Sequence, residues 1–155
     1  MMMKKSILAL AALAIMAWGC SSDNDSSSEP TPPAPTEITE GTDVKPTWQS
    51  PNYDLYEQTM SIELQLQDVL ANYASAQDMM CATIGNEVRG VAAAELIDDQ
   101  WRFSLTIGSN EAGVDVALSY YCDRLHRIFT TRWTQFDASV APIGQGGIYQ
   151  PKFVE

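Results

Sequence analysis

The chain has 155 residues, with 20 acids against 9 bases and a formal net charge of −11. That balance repels phosphate backbones and anionic lipid headgroups, which excludes nucleic-acid binding and a basic membrane-binding patch. No stretch is apolar for long enough to span a bilayer as a helix.

In chain order, the first element reads as a targeting segment. Lys4 and Lys5 precede an apolar run of 13 residues, 6–18, which ends in Ala17-Trp18-Gly19-Cys20. A short positive region, a run of this length and small residues before a cut site describe a secretory signal. Gly19-Cys20 resembles a lipobox, the site at which bacterial lipoprotein signal peptidase cuts before a diacylated cysteine. In that reading residues 1–19 are removed and Cys20 carries the lipid; an ordinary secretory signal that happens to contain a cysteine is the alternative. Anchoring to the membrane then comes from the acyl chains, since one chain alone binds only reversibly. Ser21-Ser22-Asp23-Asn24-Asp25 resembles the acidic export tag of Bacteroidetes lipoproteins displayed on the outer face of the outer membrane. The expected location is therefore that outer face, with the periplasmic leaflet as the alternative.

Residues 20–47 read as a tether. Serines, acids and Pro30, Pro32, Pro33 and Pro35 dominate, without hydrophobic periodicity, and this composition favours a disordered, partly polyproline spacer. Aromatic residues begin at Trp48, so residues 48–155 form the expected domain. Its dominant signal is alternation with a period of two. Met60, Ile62, Leu64 and Leu66 alternate with polar residues, as do Trp101, Phe103, Leu105 and Ile107, and then Val114, Val116, Leu118, Tyr120 and Cys122. The apolar runs 79–84 and 88–96 add strands, and 127–131 and 147–154 supply two more. Residues 64–74 have room for one helical turn. Gly85-Asn86, Asp98-Asp99, the Gly/Asn-rich stretch 108–113, Asp123-Arg124 and the glycines of 144–147 punctuate these runs. About seven short strands with such spacing imply an all-β fold, an antiparallel β-sandwich.

These stretches, with "DMMCATIGNEVRGVA" at their centre, resemble a small and poorly characterised β-sandwich module of Bacteroidetes lipoproteins and secreted proteins. The core of the resemblance is Gly85-Asn86-Glu87-Val88-Arg89-Gly90. It implies fold and location but no activity. From the residues themselves, Gly85-Asn86 suits a tight turn, and Glu87 and Arg89 fall on one strand face within reach of a charge-assisted pair. A structural clamp and a ligand contact at Arg89 are both open.

Chemistry is sparse. His126 is the one histidine and lies beside arginines, which suits a surface residue. No phosphate loop, serine elbow or zinc-ligand spacing occurs, so no metal, cofactor or catalytic residue is assigned. Asp98-Asp99 and Asn110-Glu111 lack an EF-hand pattern. Cys81 and Cys122 are candidates for a disulfide in an exported protein, or for two separate buried thiols. In residues 124–133 three arginines fall on a strand with no cleanly apolar face, which suits an edge strand. Arg132 and Trp133 there, with Tyr149, are the candidate binding residues: a guanidinium and an indole suit an acidic sugar or a protein carboxylate. The expected function is a non-catalytic, lipid-anchored binding module for a glycan or a protein of the envelope or host. A structural subunit of an outer-membrane assembly is the alternative, and a small hydrolase is less favoured for lack of an acid/base pair.

Overall fold

The computed structural model describes residues 37–140 and 147–153, all of which fall in one compact unit. Eight strands form two four-stranded sheets. One sheet holds β4 (Glu95–Ile97), β5 (Gln100–Ser109), β1 (Gln58–Gln65) and β8 (Ile148–Tyr149) in that order. The other holds β3 (Glu87–Ala93), β2 (Met79–Ile84), β6 (Asp115–Cys122) and β7 (Arg127–Gln135). Every pairing is antiparallel except that of β8 with β1. The all-β sandwich expected from alternation is what the chain forms. One short α-helix among the described residues, α1 (Asp68–Tyr73), carries the chain from β1 to β2 and buries Leu70.

The alternating residues meet between the sheets. Met60, Ile62 and Leu64 of β1, Phe103, Leu105 and Ile107 of β5, and Val116, Leu118 and Tyr120 of β6 are buried in one cluster. Tyr120 anchors its centre, edge-to-face with Phe103 at 5.8 Å and stacked on Phe129 at 6.1 Å. Full burial of such side chains stabilises by about 1.5–3 kcal/mol each.

One corner of the sandwich is closed by the chain itself. The apolar run 88–96 is not one flat strand, because it changes sheet at Ala94: β3 pairs with β2, and β4 pairs with β5. At this corner β3 lies directly on β5, and a Cβ at Gly90 would stand 2.1 Å from the Thr106 carbonyl oxygen. On the opposite side no strand of the described residues crosses between the sheets. There the edge strands β7 and β8 are bridged by Trp133 and Tyr149, whose rings meet at 5.5 Å and 83°.

The boundary placed at Trp48 from composition needs correcting. Gly41 N–H donates to the Leu125 carbonyl at 2.7 Å and Asp43 N–H to that of His126 at 2.8 Å. The Asp43 carboxylate accepts from Ile128 N–H, and Lys45 Nζ reaches Gln77. Residues 39–47 therefore belong to the folded unit as a strap. They show no periodicity because hydrogen bonds, and not a buried stripe, hold them. The strap continues to Ser50, whose hydroxyl donates to the Val91 carbonyl at 3.4 Å, so it links the β6–β7 turn to β3. Cys20 and the rest of the expected signal and tether, up to residue 36, lie outside the described residues, as do the glycines at 144 and 146.

Candidate functional site

Two residues singled out by sequence, Arg89 and Trp133, stand at equivalent irregularities. Ala82 pairs with Gly90 and Thr83 with Val88, so Arg89 is the extra residue of a bulge in β3. Val116 pairs with Thr134 and Ala117 with Arg132, so Trp133 is the extra residue of a bulge in β7. A bulge removes its residue from the ladder and re-aims the side chain. It also resets the alternation. Phe129 and Phe136 both reach the core although seven positions separate them, which strict period two forbids.

At the first bulge the Arg89 guanidinium pairs with Glu87 at 2.7 Å and lies over the Tyr56 ring, 4.9 Å from its centroid. The Tyr56 ring in turn covers Gly108, where a Cβ would come within 2.1 Å of it. Arg89 is thus one layer of a stack that fastens the 3₁₀ turn Tyr53–Leu55 and the start of β1 to the corner, with Tyr53 Oη donating to the Thr106 carbonyl at 2.8 Å. Glu87 is exposed, so its ion pair contributes little by itself. A cavity of about 180 Å³ beside Arg89 is lined by Ser109, Asn110 and Glu111.

At the second bulge Trp133 is half-buried and forms part of the wall of two adjoining depressions. One, of about 380 Å³, is lined by Arg132, Asp115, Thr134 and Gln135 as well as Trp133. The other, of about 400 Å³, has Tyr149, Met60, Phe136, Gln135 and Asp137 in its lining. The structure therefore brings Arg132, Trp133 and Tyr149 to one rim, with Trp133 between the other two. Strand β7 is the end of its sheet, as expected for residues 124–133. Asp137 closes this rim, its Oδ1 accepting from Ser139 Oγ at 2.6 Å and from Ser139 N–H at 2.9 Å. Those two donors hold its carboxyl below the ordinary carboxylate range.

The disulfide considered for Cys81 and Cys122 is not formed: both thiols are free and buried. Cys122 follows Val116, Leu118 and Tyr120 into the core, whereas Cys81 lies between the core residues Met80 and Ala82 and points to the other side of the sheet. Bridged cysteines need Cβ vectors that face each other, which two faces of one sheet cannot provide. Cys81 is nonetheless fully buried on that side, and the strap's Ser50 bonds to the carbonyl of Val91, the ladder partner of Cys81. Burial pushes the Cys81 thiol up to about 11 and also raises that of Cys122. Both are accordingly protonated near neutral pH and poor nucleophiles. His126 is exposed in the turn before β7, at a φ of 46°. Among the described residues no three of His, Cys, Asp and Glu gather as metal ligands, and no helix is long and apolar enough to cross a membrane.

Sequence reading missed Asp78. It is 1% exposed, and its carboxylate takes four donors. Oδ1 accepts from Ser75 Oγ at 2.7 Å and Asp123 N–H at 3.0 Å, while Oδ2 accepts from Tyr120 Oη at 2.5 Å and Ser75 N–H at 3.0 Å. Burial, and after it the facing carboxylate, raises the Tyr120 phenol well above its ordinary value. Asp78 ties the end of α1, β2 and the β6–β7 turn together. Only the Ser75-x-x-Asp78 spacing, a local turn signal, hinted at it.

No family model, curated protein or solved structure matches the chain.

Proposed function

We propose that this chain is a lipid-anchored protein of the bacterial outer membrane, facing outward, whose β-sandwich is a non-catalytic binding module for a glycan or protein. The observation that carries the binding part is the bulge at Trp133. It sets an indole, half-exposed, between two depressions at the seam of the sheets, with Arg132 on one side and Tyr149 on the other. An indole gives a sugar a flat apolar face, and Arg132 offers paired donors to a carboxylate. The anchoring part rests on Gly19-Cys20 and the acidic residues behind it, and the module's kinship with Bacteroidetes surface lipoproteins on Gly85 to Gly90.

The binding test is an array of acidic and neutral glycans probed with the wild type and with Trp133→Ala, alongside melting curves of both. Loss of a central aromatic contact costs about 2 kcal/mol or more, roughly 30-fold in affinity. The variant should therefore lose the signal while still melting cooperatively. A wild type that binds nothing on the array, or a variant that binds equally well, would contradict the reading. Anchoring is checked separately. Cells fed a labelled fatty acid should label the wild type, while Cys20→Ala should stay unlabelled and leave the membrane fraction.

The accessory-subunit reading has one specific support. Among the described residues, no strand pairs with β7 on the side away from β6. Beyond Ile128, whose N–H is taken by the Asp43 carboxylate, this edge presents N–H and C=O groups to a partner's strand. A stoichiometric protein partner recovered from solubilised outer membrane, and lost when Thr130 is replaced by proline, would favour it.

A further inference from the structure

The two depressions beside Trp133 differ in charge. Arg132 lines the first, together with Asp115. In the second, Asp137 is the single charged residue among those named in its lining. The rings of Trp133 and Tyr149 stand 83° apart there and form a corner of two aromatic walls. Met60 and Phe136 supply apolar surface behind them, and Gln135 and Thr134 supply polar groups at the rim. The volume of about 400 Å³ lies within the range of small-molecule sites, about 300–1,000 Å³.

Asp137 is not used up by the fold. Its Oδ1 accepts both bonds from Ser139, and no described cation forms an ion pair with it. A neutral ligand would gain little from an exposed carboxylate. A protonated amine gains twice, from the carboxylate and from the negative faces of the aromatic rings. Residues 48–155 carry 14 acids and 6 bases, a field that gathers cations to the surface.

We propose that the cleft between Trp133, Tyr149 and Asp137 takes the protonated amine of an amino sugar. This rests on the glycan-binding reading above and narrows it to the cationic class. The C–H face of the sugar ring lies on the indole, its hydroxyls meet Gln135 and Thr134, and its ammonium group points to Asp137. Arg132, on the far side of Trp133, lies outside this contact.

The test uses the full chain in detergent solution, titrated with four probes: a glucosamine tetramer with free amines, the same tetramer fully N-acetylated, an oligogalacturonate, and a lysine oligomer. The pH is set where the free amines are protonated. The free-amine tetramer should bind about tenfold or more tightly than its acetylated form, the scale of a cation–π contact joined to a charge-assisted bond. Asp137→Asn should remove that preference and leave the affinity for the acetylated tetramer nearly unchanged, because an asparagine oxygen still accepts from Ser139. Equal binding of both tetramers, lost with Trp133→Ala, would overturn the amine proposal and leave the glycan-binding reading standing. Preference for oligogalacturonate would overturn it in favour of the Arg132 side. A free-amine preference that survives Asp137→Asn would place the cation elsewhere on the acidic surface and overturn it as well. Binding of lysine oligomers in place of both sugars, dependent on Asp137, would replace the sugar with a protein ligand. No binding by any probe would overturn the proposal and the glycan-binding reading alike.

Discussion

Asp78→Ala is expected to destabilise the domain by about 3–5 kcal/mol, among the largest losses available to a single substitution here. The carboxylate is buried and holds four donors from three separate parts of the chain. Removing it strands the Tyr120 hydroxyl and the Ser75 and Asp123 N–H groups away from water, and each such group costs about 1–3 kcal/mol when unsatisfied. Asparagine is not a rescue. Each carboxylate oxygen accepts one backbone N–H, from Ser75 on one side and Asp123 on the other. Whichever way the amide turns, its NH₂ group faces a backbone donor. Tyr120→Phe removes a single donor and should cost only about 1–1.5 kcal/mol. Thermal melting of the three variants checks this ranking. For a domain near 100 residues each kcal/mol shifts the midpoint by about 4–8 °C, so Asp78→Ala should fall by more than about 12 °C. A fall of a few degrees for Asp78→Ala, or an Asp78→Asn variant as stable as the wild type, would show that Asp78 does not tie these segments together.

Gly90→Ala is expected to cost about 3 kcal/mol or more through a backbone collision. The added Cβ would stand 2.1 Å from the Thr106 carbonyl oxygen and 3.2 Å from Leu105 Cδ1. Neither backbone can retreat easily. Gly90 is paired with Ala82 in one sheet, and Thr106 is paired with Ser61 in the other, with their hydroxyls bonded at 3.3 Å. Moving them apart would open the corner that the β3–β4 crossing closes. Urea unfolding measures the loss directly as a lower midpoint at unchanged slope. A midpoint within error of the wild type would mean that β3 and β5 do not approach so closely.

Much of the sandwich is legible in the sequence because alternation reports a face. Met60, Ile62, Leu64, Phe103, Leu105, Ile107, Val116, Leu118 and Tyr120 all point inward as period two requires. Alternation breaks where one residue is inserted. Alternation alone assigns Trp133 to the face of Phe129 and Phe136 to the other. The bulge instead frees Trp133 at the seam and sends Phe136 to the core. A bulge leaves no compositional mark when its residue is neither glycine nor proline, so neither Trp133 nor Arg89 announces it. The edge position of β7 was readable from its mixed faces. That Tyr149 would meet Trp133 was not, because the contact joins strands of different sheets. Asp78 was hidden for a related reason: a lone acid ahead of an apolar run reads as a solvated turn until its donors arrive from distant segments. Cys81 illustrates the same limit, since it sits in a run apolar on both faces, whereas Cys122 follows the alternation of β6 into the core.

A glycan bound as proposed would gather its contacts at the Trp133 seam. Two-dimensional ¹H–¹⁵N spectra of the isotope-labelled chain, titrated with glycan, measure this residue by residue. The expected result is a set of concentration-dependent shifts at the Trp133 indole N–H, the Gln135 side-chain amide and the backbone of Asp137 and Tyr149, with the Trp48 and Trp101 indoles unmoved. Shifts confined to the outer side of the first sheet, at Ser61, Ser104 and Thr106, with the Trp133 indole unchanged, would contradict it.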